Sequence, residues 1–226
     1  MSGADGPGAD GAAGGAGVPG DEGPDRADGP PARRGEASRE TRETQVRVAV
    51  RLDGSGRAEV DTGVGFLDHM LELLAGHALL DLEVRAEGDL HVDEHHTVED
   101  VGIVLGQALS DALGERRGIR RYGFLMPMDE ALARVAVDLG GRSHLVFEAS
   151  FERERVGDLP TELVEDFLVA LSRHLKATFH VTVLRGRNEH HKIEAIFKGL
   201  GRALRAAVER DPRLGQELPS TKGRIE

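Results

Sequence analysis

Two stretches, HHTVEDVGIVLGQAL (95–109) and HHKIEAIFKGLGRAL (190–204), decide how this chain folds. They match at 7 of 15 positions: both histidines, a glutamate, and the Leu-Gly and Ala-Leu pairs. Upstream, ETQVRVAVRLDG (43–54) matches EALARVAVDLGG (130–141) at 7 of 12 positions. Between these blocks, FLDHMLELLAGHALLDLEV (66–84) overlays LVEDFLVALSRHLKATFHV (163–181), which sets His69 on Asp166 and His77 on His174. Three blocks in the same order indicate a duplicated unit of about 75–90 residues.

Periodicity gives both units the same layout. RVAVRLDG (47–54) and RVAVDLGG (134–141) are β-branched runs ending at glycines, and read as hairpin strands. GRAEVDT (56–62) and RSHLVFEASF (142–151) supply the expected returning strands. Leu67, Leu71, Leu74 and Ala78 recur at helical spacing, as do Leu163, Phe167, Leu171 and Leu175 after Pro160-Thr161. LLDLEVRAEGDLHV (79–92) and ATFHVTVLRG (177–186) alternate as strands do. Longer helices follow, carried by Val98, Val101, Leu105 and Leu109, and by Ile193, Phe197, Leu200 and Leu204. The order β-β-α-β-α, twice, predicts an α+β fold: two sheets, each with helices on one face.

Composition sets the limits. Of 30 glycines in 226 residues, 11 fall within 1–35, together with 5 of 9 prolines. Such a stretch buries too little apolar surface to offset its chain entropy. Residues 1–40 are therefore expected to form a disordered tail, and 41–226 one domain: two pseudo-repeats, about 41–125 and 126–212, then a C-terminal loop, 213–226. The net charge is −11; beyond residue 35 the chain carries 26 basic and 34 acidic residues, still −8. That balance excludes a nucleic-acid partner. No apolar run is long enough to span a membrane, no export signal is visible, and a cytoplasmic location follows as the expectation. Cysteine is absent, which removes disulfides, thiolate metal sites and cysteine nucleophiles.

Ten histidines are the positive clue. His95, His96 and Glu99 open one helix, and His190, His191 and Glu194 open its repeat. A glutamate three or four residues after a histidine shares its helix side. Adjacent histidines point about 100° apart, so each pair suits two ions better than one. Imidazole with carboxylate and no thiolate suits manganese, iron or zinc. His69 and Asp166 complete a set of eight candidates, which pseudo-symmetry divides into two sites. A single pair of this kind reads better as a solvated helix start, with glutamate facing the macrodipole; its recurrence favours metal. His77 and His174 line or underlie a pocket, whereas His91, His144 and His180 read as ordinary core or surface histidines.

These residues resemble the imidazoleglycerol-phosphate dehydratase family over about residues 40–224. The landmarks are RETQV (42–46), GFLDHML (65–71), GDLHVDEHHTVEDVGIVLGQAL (88–109), RYGFLMPMDEAL (121–132), DLGGR (138–142), EHHKIEAIFKGLGRALR (189–205) and PSTKG (219–223). The resemblance implies two Mn2+ ions per active site, held by His69, His95, His96, Glu99, Asp166, His190, His191 and Glu194. The family commonly has histidine where this chain has Asp166. Glu43 aligns with an acid/base glutamate, and Glu99 and Glu194 join it as carboxylates of the catalytic centre. Glu43, His69, His77, Arg121, Arg142, Lys198, Ser220, Thr221 and Lys222 align with substrate positions, the basic ones suited to a phosphate dianion. PSTKG is implied to close over the substrate.

The implied reaction removes water from D-erythro-imidazole glycerol phosphate to give imidazole acetol phosphate, a step of L-histidine biosynthesis. A homo-oligomer of 24 subunits built from trimers is implied as well. Without the resemblance, the same residues fit a dinuclear metallohydrolase, recognised by phosphate release, or a metal-stabilised assembly without turnover.

Overall fold

A computed structural model of the chain describes residues 32–123, 126–220 and 224–225, with side chains of Tyr122 and Gly123 excepted. The first sheet contains β1 (Arg34–Glu40), β2 (Thr44–Arg51), β3 (Ala58–Asp61) and β4 (Asp81–Gly88), in the order β1-β2-β4-β3. Along β2, Thr44, Val46, Val48 and Val50 are buried while Gln45 and Arg47 face solvent. This is the alternation of a sheet with one covered face. β4 pairs antiparallel with β2, placing Val84 opposite Val48.

The hairpin expected between β2 and β3 does not form. β3 instead pairs parallel with β4, Val60 opposite Val84. The cause is α1 (Gly65–Ala78), which follows β3 and carries the chain back to the starting end of the sheet. A strand that follows such a crossover must run parallel. The second unit repeats this arrangement. β7 (Ala131–Asp138) pairs antiparallel with β11 (Thr178–Arg185), which pairs parallel with β8 (His144–Glu148). β5 (Tyr122–Gly123) and β6 (Met126–Met128) lie along the free side of β7, as β1 lies along β2. Each predicted β-β-α-β-α unit is thus preceded by one more strand position. The second unit also spaces its first two blocks ten residues wider (43 to 66 against 130 to 163). A small hairpin, β9 (Arg155–Val156) with β10 (Leu159–Pro160), lies in that extra length.

β1 corrects the expected tail, which took in residues 34–40. Its sequence, RGEASRE, offers no large apolar side chain, and its composition therefore reads as tail. Yet Gly35 is buried, and a Cβ there would collide with the Ala108 carbonyl of the helix above. Small residues let that helix, α2 (His95–Leu113), lie close against β1. The core needs their smallness rather than their hydrophobicity.

The helices lie on one face of each sheet and meet between them. α2 packs on β1 and β2, and α4 (Glu189–Val208) on β7. α2 then packs against α3 (Leu163–Leu175), and α1 against α4. Each helix pair therefore joins the two units. Gly106 and Gly201 sit at the same repeat position and permit both approaches. A Cβ on Gly106 would lie 2.9 Å from the Leu175 amide, and one on Gly201 2.6 Å from the Leu74 carbonyl.

Candidate metal centre

Helix exchange between the units assembles the site. His69 comes from α1; His190 and Glu194 come from the first turns of α4. The His190 and Glu194 side chains approach to 3.3 Å, and the rings of His69 and His190 are 5.8 Å apart. One ligand atom from each of the three lies within 4.8 Å of the others, the spacing of donors around one ion. Phe66 packs edge-on against His190 at 5.1 Å and walls the triad on one side.

Its pseudo-symmetric counterpart is His95 and Glu99 on α2 with Asp166 on α3. His95 Nε2 lies 3.9 Å from Glu99, and its Nδ1 lies 3.9 Å from Asp166. Each triad therefore takes two donors from one unit and one from the other.

His96 and His191 face elsewhere. The rings of His95 and His96 are 6.1 Å apart and those of His190 and His191 6.0 Å apart, and the two members of each pair meet different carboxylates. His96 Nδ1 meets Asp89 at 3.1 Å, and His191 Nδ1 meets Glu130 at 2.8 Å. These contacts raise the pKa of both imidazoles, chiefly through the hydrogen bonds to Asp89 and Glu130. Glu130, bonded to His191 and to the backbone amide of Asn188, is lowered to about 2.

Glu43 occupies the tight turn between β1 and β2. Its amide donates to Thr41 Oγ1 at 3.1 Å, while Thr44 and Arg39 on either side are anchored to Asp100. The exposed carboxylate ends 3.9 Å from His96 Nε2. Lys198 does not stand as an open cation: it pairs with Glu194, and its Nζ is 3.2 Å from Met128 Sδ. Burial raises the Glu194 pKa, but Lys198, His190 and His69 outweigh it and hold the group below its ordinary value. His77 is half-buried; burial, then Lys198 and Arg202, depress its pKa.

Arg121 grips Asp138 through two guanidinium nitrogens and donates to the Pro219 carbonyl at 3.1 Å. Its φ of +74° is costly for a non-glycine residue, and its amide is held by the Ala207 carbonyl at 2.7 Å. Arg121 thereby ties the start of the PSTKG segment, where Ser220 lies, to the second sheet. Arg142 is exposed on the turn before β8, where its carbonyl accepts from Thr178. Thr221 and Lys222 lie outside the described residues.

The family profile for imidazoleglycerol-phosphate dehydratase matches residues 62–204. The chain belongs to the imidazoleglycerol-phosphate dehydratase family. It is 55% identical over 194 residues to the dehydratase of Granulibacter bethesdensis, covering 85% of this chain and 99% of that one. It is 58% identical over 194 residues to that of Azorhizobium caulinodans, covering 85% and 98%. The crystal structure of the Staphylococcus aureus enzyme superposes with a TM-score of 0.71 at 42% identity, over 79% of this chain and 99% of that chain. That of the Pyrococcus furiosus enzyme in complex with (S)-C348 gives 0.72 at 36% identity, over 83% and 99%.

Membership makes the chain a hydro-lyase. The fold groups the eight candidate ligands from the repeat as two triads and two outlying histidines. Imidazole and carboxylate donors, in a chain without cysteine, fit manganese, iron or zinc. Sequence reading passed over Asp89 and Glu130. Glu130 did carry a signal, because the repeat places it on Glu43. No helix among the described residues is long and apolar enough to cross a membrane.

Proposed function

We propose that the chain dehydrates D-erythro-imidazole glycerol phosphate to imidazole acetol phosphate in L-histidine biosynthesis, with two Mn2+ ions per active site. The observation that carries this reading is the convergence of His69, His190 and Glu194, with Asp166, His95 and Glu99 at the matching positions of the repeat. When bound, the ions would supply Lewis-acid stabilisation of negative charge on the substrate's imidazole and hydroxyl.

The chain's own residues do the rest. The reaction removes a proton from carbon and a hydroxyl from its neighbour, which leave together as water. Glu43 is the acid/base: its exposed carboxylate beside His96 can take the carbon-bound proton. Arg121, Arg142, Lys198, Ser220, Thr221 and Lys222 bind the substrate and its phosphate, and this remote binding positions the reacting carbons. Lys198 also neutralises Glu194. His77, kept neutral by burial and neighbouring cations, suits a hydrogen bond to substrate.

His96 and His191 point away from their own triads, which supports ligand sharing across subunit contacts in an oligomer of 24 subunits built from trimers. We read the chain as a cytoplasmic enzyme without nucleic-acid or membrane partners, and its net charge of −11 supports the absence of a nucleic-acid partner. Residues before β1 are read as a tail outside the catalytic domain. The deciding experiment measures imidazole acetol phosphate directly, with Mn2+ added, after chelation, and after Mn2+ is restored. Formation that tracks Mn2+ supports the reading; release of inorganic phosphate instead, or turnover unaffected by chelation, overturns it.

A further inference from the structure

The two histidines outside the triads share a feature that the other two lack. Each has a carboxylate on Nδ1: Asp89, at 3.2 and 3.1 Å through its two oxygens, for His96, and Glu130, at 2.8 Å, for His191. The corresponding nitrogen of His95 is 3.9 Å from its nearest paired carboxylate, Asp166, beyond hydrogen-bond reach.

These carboxylates are not related by the repeat. Asp89 follows β4, six residues ahead of His95, whereas Leu184 stands six residues ahead of His190. Glu130 precedes β7, and the repeat places it on Glu43. Two different elements thus deliver an acid to the same atom of two equivalent imidazoles. A chance contact of an acidic surface does not account for that match.

An ionised carboxylate only accepts, so Nδ1 must carry the proton. In the neutral ring this leaves the lone pair on Nε2, the ligating form. Nε2 of His96 lies 3.9 Å from Glu43, and Nε2 of His191 lies 3.9 Å from Asp129, so neither is taken up by a short hydrogen bond to these acids. Both side chains remain partly open, at 35% and 27% exposure. Neither ring is gripped by a triad of its own, so its orientation has to come from outside.

We propose that Asp89 and Glu130 are positioning residues, which hold His96 and His191 in the Nε2-ligating tautomer and aim each ring at a Mn2+ site. This rests on the metal reading given above.

Glu130→Gln is a sharp test because Glu130 has a second duty. It also accepts the amides of Arg187 and Asn188, at 3.2 and 2.9 Å. In the variant, the amide oxygen can keep the two backbone bonds, which leaves the NH2 group facing His191. An NH2 group donates, so the imidazole must accept at Nδ1 and carry its proton on Nε2. The loop survives while the ligand nitrogen is blocked. Asp89→Asn is the second variant, free of that backbone duty.

Mn2+ binding to the full-length protein would be followed by electron paramagnetic resonance, with no substrate present. Each variant should weaken one class of ion by about 10–100-fold, the usual effect of losing such a partner, while its metal-free form keeps the wild-type far-ultraviolet circular dichroism. In metal-free protein labelled with 15N-histidine, at a pH where the rings are neutral, Glu130→Gln should move one ring from the Nδ1–H to the Nε2–H form. Isotherms and tautomers that superpose on wild type in both variants overturn the proposal. A wild-type chain that takes up no Mn2+ overturns the metal reading, and this proposal with it.

Discussion

The ring of His69, on α1, stands 5.8 Å from the ring of His190, on α4. The two residues belong to different repeats and come together only because α1 packs on α4. Triad geometry is therefore a readout of helix packing, and metal occupancy should respond to changes in either. His190→Ala removes a donor that lies within 4.8 Å of both partners. Elemental analysis should find close to half the wild-type manganese, with the other triad still loaded. Unchanged stoichiometry would refute the assignment.

Packing can be varied without touching a ligand. Gly201→Ala places a Cβ 2.6 Å from the Leu74 carbonyl, a backbone atom that cannot step aside. α4 must then move from α1. Overpacking of this kind costs about 1–3 kcal/mol. Thermal unfolding of the metal-free variant should shift down accordingly, and its Mn2+ affinity should fall with it because His69 recedes from His190. A destabilised variant with wild-type Mn2+ affinity would separate packing from the site.

Glu43 is held by its turn rather than by contacts to its carboxylate, which ends 3.9 Å from His96. Glu43→Gln keeps that turn and removes the base. Turnover should drop by about 10²–10⁴-fold, the usual contribution of a general acid/base, while manganese content and oligomeric state stay as in wild type. Activity close to wild type would remove Glu43 from its role.

Much of this was legible in the residues. The helices declared themselves because Leu67, Leu71 and Leu74, or Ile193, Phe197 and Leu200, mark a buried stripe whatever it packs against. β1 did not, because Gly35 and Ala37 serve the core by being small, and composition counts small residues as loop. The partner of β3 was also hidden, since pairing depends on where α1 returns the chain. The candidate ligands were named from the repeat, which set His69 on Asp166. The division into triads did not follow from it, because it depends on α1 meeting α4 and α2 meeting α3. Nor did the Arg121–Asp138 grip, which spans 17 residues and depends on a left-handed backbone at Arg121.

The His191–Glu130 pair carries a pH signature in the metal-free protein. Glu130 is lowered from 4.5 to about 2, so its contribution is present above pH 4.5 and is lost as pH falls toward 2. His191 is raised above 6.5, so its contribution is complete below 6.5 and is lost as pH rises through the higher folded value. The pair therefore stabilises most between about pH 4.5 and 6.5. The thermal midpoint of wild type minus that of Glu130→Gln should peak in this window and shrink on both sides. A difference that is flat with pH would mean the pair does not form.

The two triads are equivalent in position but not in chemistry. One has two imidazoles and a carboxylate, with Lys198 drawing on Glu194. The other has Asp166 in place of a second imidazole, and the residue matching Lys198 is Ile103. The second triad is thus richer in anionic oxygen and lacks the competing cation. Oxygen donors favour hard ions, while imidazole accommodates zinc well. Mn2+ added to the metal-free protein should therefore fill two distinguishable classes of site, and Zn2+ should displace it first from the His69 triad. Asp166→His makes the donor sets alike, and competition followed by the Mn2+ resonance should then lose most of its two-step character. Two classes that persist unchanged in that variant would mean that residue 166 does not set the difference, and would leave Lys198 as its source; Lys198→Met would then be the variant that merges them.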